Sequence, residues 1–571
     1  MLNLFHNYSY IIKLFFLITI SLVINSCAKK EEADLIINNG IIYTLAGSKQ
    51  VESIAIKDGI IFDLGNDYEI NKYIGKNTEI INLDGSTLIP GFIEGHGHLM
   101  GIGYNLIDLD LLKTKSYDEI IELVKNKANN LPKGTWIIGR GWHQDKWKEK
   151  PEKMINNFPV HDNLSVEVPN HPVYLKHASG HASLANKKAM EIFNISNNTN
   201  SPEGGEIFKD LSGNPTGIFN ETAQKLIQVP NKTKDERIQA LILANNHCLE
   251  NGITSFHNAG SGFKDIEVFK ELANDNKLDI RLYTMLDGKN DSLLSTYFKS
   301  GPKIGLFDNK LTIRSIKLYS DGALGSRGAW LIDDYNDEEG TFGHVVTPLK
   351  ELERVTREGF DNGFQICTHA IGDRANREVL NIYESVLKNT KVDHRFRIEH
   401  AQHIDLNDIP RFQELNVIAS IQGIHLSSDR PWAIKRLGKQ RIVNSAYPWR
   451  KLINSGAMII NGTDAPVERL NPIESFYASV TRKTLEGHPE YGYESEEKMT
   501  RIEALKTYTI NAAFGAFEEK LKGTIEKGKF ADFTVINQDI LTVEEEKILD
   551  TKIIMTIIGG NIKYKNNQII K

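Results

Sequence analysis

The chain is poor in cysteine: three in 571 residues, too few for a disulfide framework. Neither charge dominates. With 68 Lys and Arg against 74 Asp and Glu, the net charge is −6, and the basic footprint that nucleic-acid binding needs is missing. No apolar run reaches the ~18 uninterrupted residues of a membrane-spanning helix. At 40% hydrophobic and 25% charged residues, the composition also excludes a fibrous or disordered chain. What remains is a long globular sequence, enough for roughly three to four domains or one large domain with a satellite.

The first segment reads as an address. Leu14–Ile24 is an apolar run of 11 residues behind Lys13, and it ends Val23-Ile24-Asn25-Ser26-Cys27. The length fits the core of a secretory signal, and the small residue before Cys27 is similar to a bacterial lipoprotein signal. Residues 1–26 are therefore expected to be a cleaved signal, with Cys27 lipidated and Ala28–Glu32 serving as a charged tether. The expected location is the bacterial cell envelope, on the periplasmic or surface side, with a lipid-anchored body.

From Asp34 the chain runs in short β segments punctuated by Asn39-Gly40 and Lys57-Asp58-Gly59, and the same texture returns in the last fifty residues. This predicts one β-sandwich built from residues 34–90 and 517–571. Between them, eight candidate strands alternate with amphipathic helices such as Asp265–Asn274, Leu349–Asn362 and Arg374–Leu387. They are TLIPGFIEGHGHL, GITSFHNA, DIRLYTML, IRSIKLYSDG, FQICTHA, HRFRIEHA, VIASIQGIH and AMIINGTDA. Eight β/α units predict an α/β fold, a (β/α)8 barrel over residues 91–516 with its active site at the C-terminal strand ends. The excursion after the first strand is too long for a bare loop, so an inserted subdomain over 101–250 is expected, with a capping box at Ser116–Glu119.

The strand ends carry the chemistry. His96 and His98 close the first strand two residues apart, on one side of it. Lys317 lies inside the fourth, with Ile316 and Leu318 facing the helices; His369 closes the fifth, His400 the sixth and Asp464 the eighth. Any one of these has an ordinary packing or turn-forming explanation. Five strands placing such groups at one barrel end do not, because an apolar barrel does not bury an unpaired lysine. Imidazole and carboxylate are ligands for a divalent ion, zinc being the default. Cys367, two residues before His369, reads as barrel filler.

The string PGFIEGHGH (Pro90–His98) resembles the first-strand signature of the metal-dependent amidohydrolase superfamily. WIIGRGWHQDKW, HASGHASLANKKAM, IKLYSDGALGSRGAW, HAIGDRAN, RIEHAQ, NGTDAPVERLNP and GKFADFTVI narrow the likeness to the YtcJ-like, amidohydrolase 3 branch, which includes N-substituted formamide deformylases. The resemblance implies that His96, His98 and Asp464 bind one ion and His369 and His400 a second, bridged by a CO2-carboxylated Lys317. A single-ion site of His96, His98, one later histidine and Asp464 is the other arrangement. It further implies hydroxide attack on a carbonyl of a small-molecule substrate, with Asp464 moving the proton to the leaving nitrogen. Glu94-Gly95 stands where the family often has Asp-Ala or Asp-Ser, and Gly423 where proline is common.

Substrate contacts are expected from Trp142, His143 and His181 in the insertion, from His257 at the second strand end, and from Asp321 and Arg327 beyond the fourth. Loop-ordering or packing roles are the competing reading for each. The expected activity is hydrolysis of a non-peptide carbon–nitrogen bond. The same chemistry serves lactones, esters and ring deamination, and a metal-binding lipoprotein without turnover is the alternative from another class. Expected partners are the small-molecule substrate, the membrane through the lipid anchor, and further copies in a homo-oligomer, but no nucleic acid.

Overall fold

The computed structural model describes residues 31–47, 51–144, 147–178, 180, 182–202, 205–388 and 390–567. The signal segment, Cys27 and His181 lie outside them. Among the described residues no helix is long and apolar enough to cross a membrane.

Eight parallel strands form the central barrel sheet: β1 (Phe92–Gly97), β2 (Ile253–Ser261), β3 (Arg281–Asp287), β4 (Leu311–Tyr319), β5 (Gln365–Ala370), β6 (Arg397–His400), β7 (Ile418–Ile421) and β8 (Ile459–Asn461). Each pairs with the next from β1 to β8. The helices that follow the strands bury their apolar stripe against the outer face. Ile316, Leu318, Ile366, Ile398 and Ile421 share one core cluster with helix residues such as Leu352, Val379 and Phe412. The alternate residues point inward, so Lys317 and Cys367 lie side by side in register. Cys367 packs with Ala259 and Met285 inside the barrel.

The strand ladder stops between β8 and β1. The seam is closed at its top, where Asp464 N–H donates to the His96 carbonyl (2.8 Å) and His98 N–H to the Ala465 carbonyl (2.7 Å). Two glycines permit that approach: a Cβ on Gly95 would lie 2.4 Å from the Asn461 carbonyl oxygen, and one on Gly462 2.5 Å from the His96 nitrogen. The Gly95 departure from the family pattern is thus met by a tight seam. Glu94 fills the same seam and accepts from Thr463 N–H at 2.5 Å. Its burial raises the carboxyl to about 8.

Two sheets flank the barrel. One joins Leu35–Asn38, Ser53–Lys57, Ile60–Gly65 and Glu79–Asn82; the other joins Ile41–Ile42 and Thr87–Pro90 to Phe533–Ile536, Ile553–Ile558 and Asn561–Lys565 from the far end of the chain. Their facing residues, including Ile37, Ile54, Val535 and Ile557, share a second core. The stretch read as one strand from Thr87 to Leu99 is two, broken at Gly91, where a side chain would strike Thr254.

The excursion after β1 carries a six-stranded mixed sheet spanning Leu109 to Glu221. Its helix Tyr117–Ala128 is capped by Ser116, which accepts from Glu119 N–H. The reciprocal bond shifts by one residue, Glu119 accepting instead from Lys115 N–H at 2.7 Å. The seventh strand is also shorter than its sequence suggests. It ends at Ile421, and Gly423–Ser445 is helical with a break at Gly438, which moves His425 off the strand. Gly423 donates its N–H to Asn461 Oδ1 at 2.9 Å, a bond that proline could not make.

Candidate metal centre

The strand ends converge on one point at the barrel mouth. His96, His400 and Asp464 are buried, and a ligand atom from each lies within 4.8 Å of the others. The ring centroids of His96 and His400 are 5.0 Å apart, and those of His369 and His400 are 4.4 Å apart. Asp464 Oδ1 lies 3.1 Å from His98 Nε2 and 3.6 Å from His96 Nε2. Lys317 Nζ approaches His96 Nε2 to 3.1 Å. The pattern implied by the family likeness pairs His400 with His369. Here His400 sits between both sets: its ring is 4.4 Å from that of His369, and it also shares a group of ligand atoms within 4.8 Å with the first-strand His96 and with Asp464.

The imidazoles share a tethering logic. His96 Nδ1 faces Glu399 Oε2 at 2.5 Å, His98 Nδ1 the Ala259 carbonyl at 2.9 Å, and His400 Nδ1 Gln422 Oε1 at 2.6 Å. Each acceptor fixes the proton on Nδ1 and leaves the Nε2 lone pair for the centre, the usual support of a metal-binding histidine. His369 Nε2 and Asp464 Oδ1 are buried without a hydrogen-bond partner among the described residues. Such orphaned acceptors are costly unless something binds them, and this donor set fits a divalent ion. Two of these residues sit at positive φ, His400 at 78° and Asp464 at 57°, a conformation held by surrounding structure rather than by preference.

The electrostatics suit the same end. Burial, together with the Lys317 charge, pulls His96 down to about 4, and His369 falls to about 3, so both imidazoles are neutral near pH 7. Burial opposes ionisation of Asp464, but the approach of His98 Nε2 (3.1 Å) and the neighbouring imidazoles hold it well below the usual carboxylate range. Lys317, 1% exposed, is lowered by burial, which favours the neutral amine.

Three residues that the sequence reading passed over carry the support. Glu399 is fully buried between His96 and Arg397, whose Nε lies 2.8 Å from Glu399 Oε1. Arg397 also donates to the Gly95 carbonyl at 2.6 Å, tying β6 to β1. Gln422 orients His400. The signal was present: in Arg397-Ile398-Glu399, charged residues alternate with an outward isoleucine on a strand that offers no solvent-facing side.

The predicted contact residues divide. Trp142 is fully buried, donates to the Leu175 carbonyl and packs on Trp147 and His177, so it belongs to the core of the insertion. His143 is half-buried, its ring 4.5 Å from that of His177. His257 is buried within the barrel, 3.3 Å from Arg397 Nη1 and packed on Tyr283, not at the mouth. Asp321 accepts backbone N–H groups of Trp330, Ile371 and Gly372 and thereby joins the loops after β4 and β5; its carboxylate lies 3.4 Å from His369 Nε2. Arg327 pairs with Asp337 and Glu338 and latches the first of those loops.

The sequence profile of the Amidohydrolase family matches residues 79–564. YtcJ of Bacillus subtilis (strain 168) is 34% identical over 505 residues, covering 87% of this chain and 92% of its own. The N-substituted formamide deformylase of Arthrobacter pascens is 25% identical over 512 residues, covering 87% and 92%. A crystal structure of a metal-dependent hydrolase from Pyrococcus horikoshii superposes with a TM-score of 0.75 at 28% identity, covering 90% of this chain and 99% of that one. The chain therefore belongs to the Amidohydrolase family and is a metal-dependent hydrolase.

Proposed function

We propose that this hydrolase cleaves a non-peptide carbon–nitrogen bond, an amide or formamide, of a small molecule. The observation that carries the reading is the set of Nδ1-tethered imidazoles presenting Nε2 to one buried, ionised carboxylate. Zinc bound there would lower the pKa of a water and polarise the substrate carbonyl. His96, His400 and Asp464 would hold one ion, with His98 completing its shell. His369 and Lys317 stand ready for a second, the lysine as a carbamate; its lowered pKa supplies the free amine that CO2 requires.

Asp464 takes the proton of the attacking water and passes it to the leaving nitrogen. The C–O bond forms, the C–N bond breaks, and the amine departs protonated instead of as an amide anion. Glu399 holds His96 in the correct tautomer throughout. Similarity over most of the chain to an N-substituted formamide deformylase supports the formamide class.

The test is hydrolysis of a panel of N-formyl amines, N-acetyl amines and lactones by zinc-loaded protein and by Asp464→Asn. Amine release from the N-formyl or N-acetyl compounds, reduced at least ~100-fold in the variant, is expected. Turnover confined to lactones would overturn the bond assignment.

A further inference from the structure

His425 meets the centre from the loop side of β7, Asp429 lies beside it, and neither belongs to the ligand set. His425 is the third residue of the helix Gly423–Ser445, and Asp429 follows one turn later on the same face. The His425 ring stacks on that of His400, with centroids 6.1 Å apart and planes 14° from parallel. The residue is 8% exposed, and its Nε2 is buried with no hydrogen-bond partner among the described residues. A line of rings thus leads from His96 through His400 to His425, with the Asp429 carboxylate beyond.

Asp429 receives only neutral donors: Gln402 Nε2 at 3.3 Å and the Ser428 hydroxyl at 3.4 Å. Among the described residues no cation pairs with it. The adjacent Arg430 is committed to Glu494 through two hydrogen bonds. Glu468, in the segment after β8, adds a second carboxylate, without an ion-pair partner among the described residues. The surroundings are costly for a lone anion: burial raises Asp429 to about 6, with His425 opposing the rise and Glu468 adding to it. An uncompensated carboxylate beside an orphaned imidazole is a site lacking its complement.

We propose that His425 and Asp429 form a substrate subsite that takes a cationic group, an ammonium or guanidinium, carried on the amine portion of the substrate. Resting on the hydrolase reading above, this names its substrate class: amides that bear a positive charge a few bonds from the scissile carbonyl. The cation pairs with Asp429, and His425 Nε2 bonds a polar atom between it and the centre.

The experiment uses the full chain loaded with zinc, at pH 8. Calorimetry compares pentylammonium with its neutral counterpart pentan-1-ol, and kcat/KM compares N-formyl-1,4-diaminobutane with N-formylpentylamine. The ammonium is expected to bind at least ~10-fold tighter than the alcohol. Asp429→Asn should erase that preference, and with it the kcat/KM ratio of the two formamides, while zinc content is retained. Glu468→Gln, at a half-buried loop position, serves if Asp429→Asn fails to fold, and should reduce the same ratio by a smaller factor.

Equal affinity for the two probes, or a preference intact in Asp429→Asn, overturns the subsite. An ammonium preference without hydrolysis of any amide supports the subsite and overturns the amide-bond reading. Hydrolysis of neutral amides without the preference does the reverse.

Discussion

Replacing Glu399 with glutamine probes how the centre is held. The carboxylate accepts from His96 Nδ1 on one side and forms an ion pair with Arg397 Nε on the other, and all three side chains are inaccessible to water. A glutamine keeps one acceptor oxygen but turns an NH2 toward the other partner, so a donor faces a donor and Arg397 loses its counter-charge. Loss of such an outer partner lowers metal affinity by about 10- to 100-fold, equivalent to about 1.4–2.8 kcal/mol. Breaking a buried pair costs about 3–5 kcal/mol of stability, and the remaining oxygen should bring Glu399→Gln to the lower end. Competition against a chromophoric chelator gives the zinc affinity, and thermal denaturation of metal-free protein gives the stability. A zinc affinity within about twofold of the parent, measured on a folded variant, would refute the claim that this carboxylate orients His96.

Other outcomes follow from the same geometry. Two zinc ions per chain falling in Lys317→Ala, with activity dependent on bicarbonate, would mark the carbamate-bridged pair; one ion unchanged in Lys317→Ala would mark the single-ion site. His403 is 1% exposed, neither ring nitrogen has a partner among the described residues, and burial holds it down at about 3. The unfolded chain then binds more protons below pH 6.5, so stability is full above that pH and declines as pH falls towards 3. Denaturant midpoints across that range should show the decline, and His403→Gln should make it shallower, with His96 and His369 accounting for part of what remains. Gly95→Ala drives a methyl into the Asn461 carbonyl across the barrel seam; a lower melting temperature and weaker zinc binding are expected together. Radiolabelled palmitate should label the full chain in bacteria but not Cys27→Ser, and labelling of both would remove the proposed anchor.

The sequence alone carried the strand-and-helix alternation, the eight β/α units and the residues at their ends. Periodicity is local, so a charged residue at inward parity in a strand is visible without coordinates, as Lys317 was. Family strings added the metal chemistry, because ligand spacing survives in linear form. Partnership lay out of reach. Which histidine joins which depends on how a barrel seam closes between residues more than 360 apart, as at Glu94 and Thr463. Glu399 lay inside a quoted string and still went unassigned, since its role exists only once β6 lies opposite β1. Trp142 looked like a ligand contact because aromatic residues beside histidine suit both a pocket and a core, and burial alone tells the two apart. His425 looked like the end of a strand until Gln422 and Gly423 turned the chain into a helix. One-dimensional pattern determined the elements and the inventory of chemistry; three-dimensional closure decided which side chains share a charge, a proton and a site.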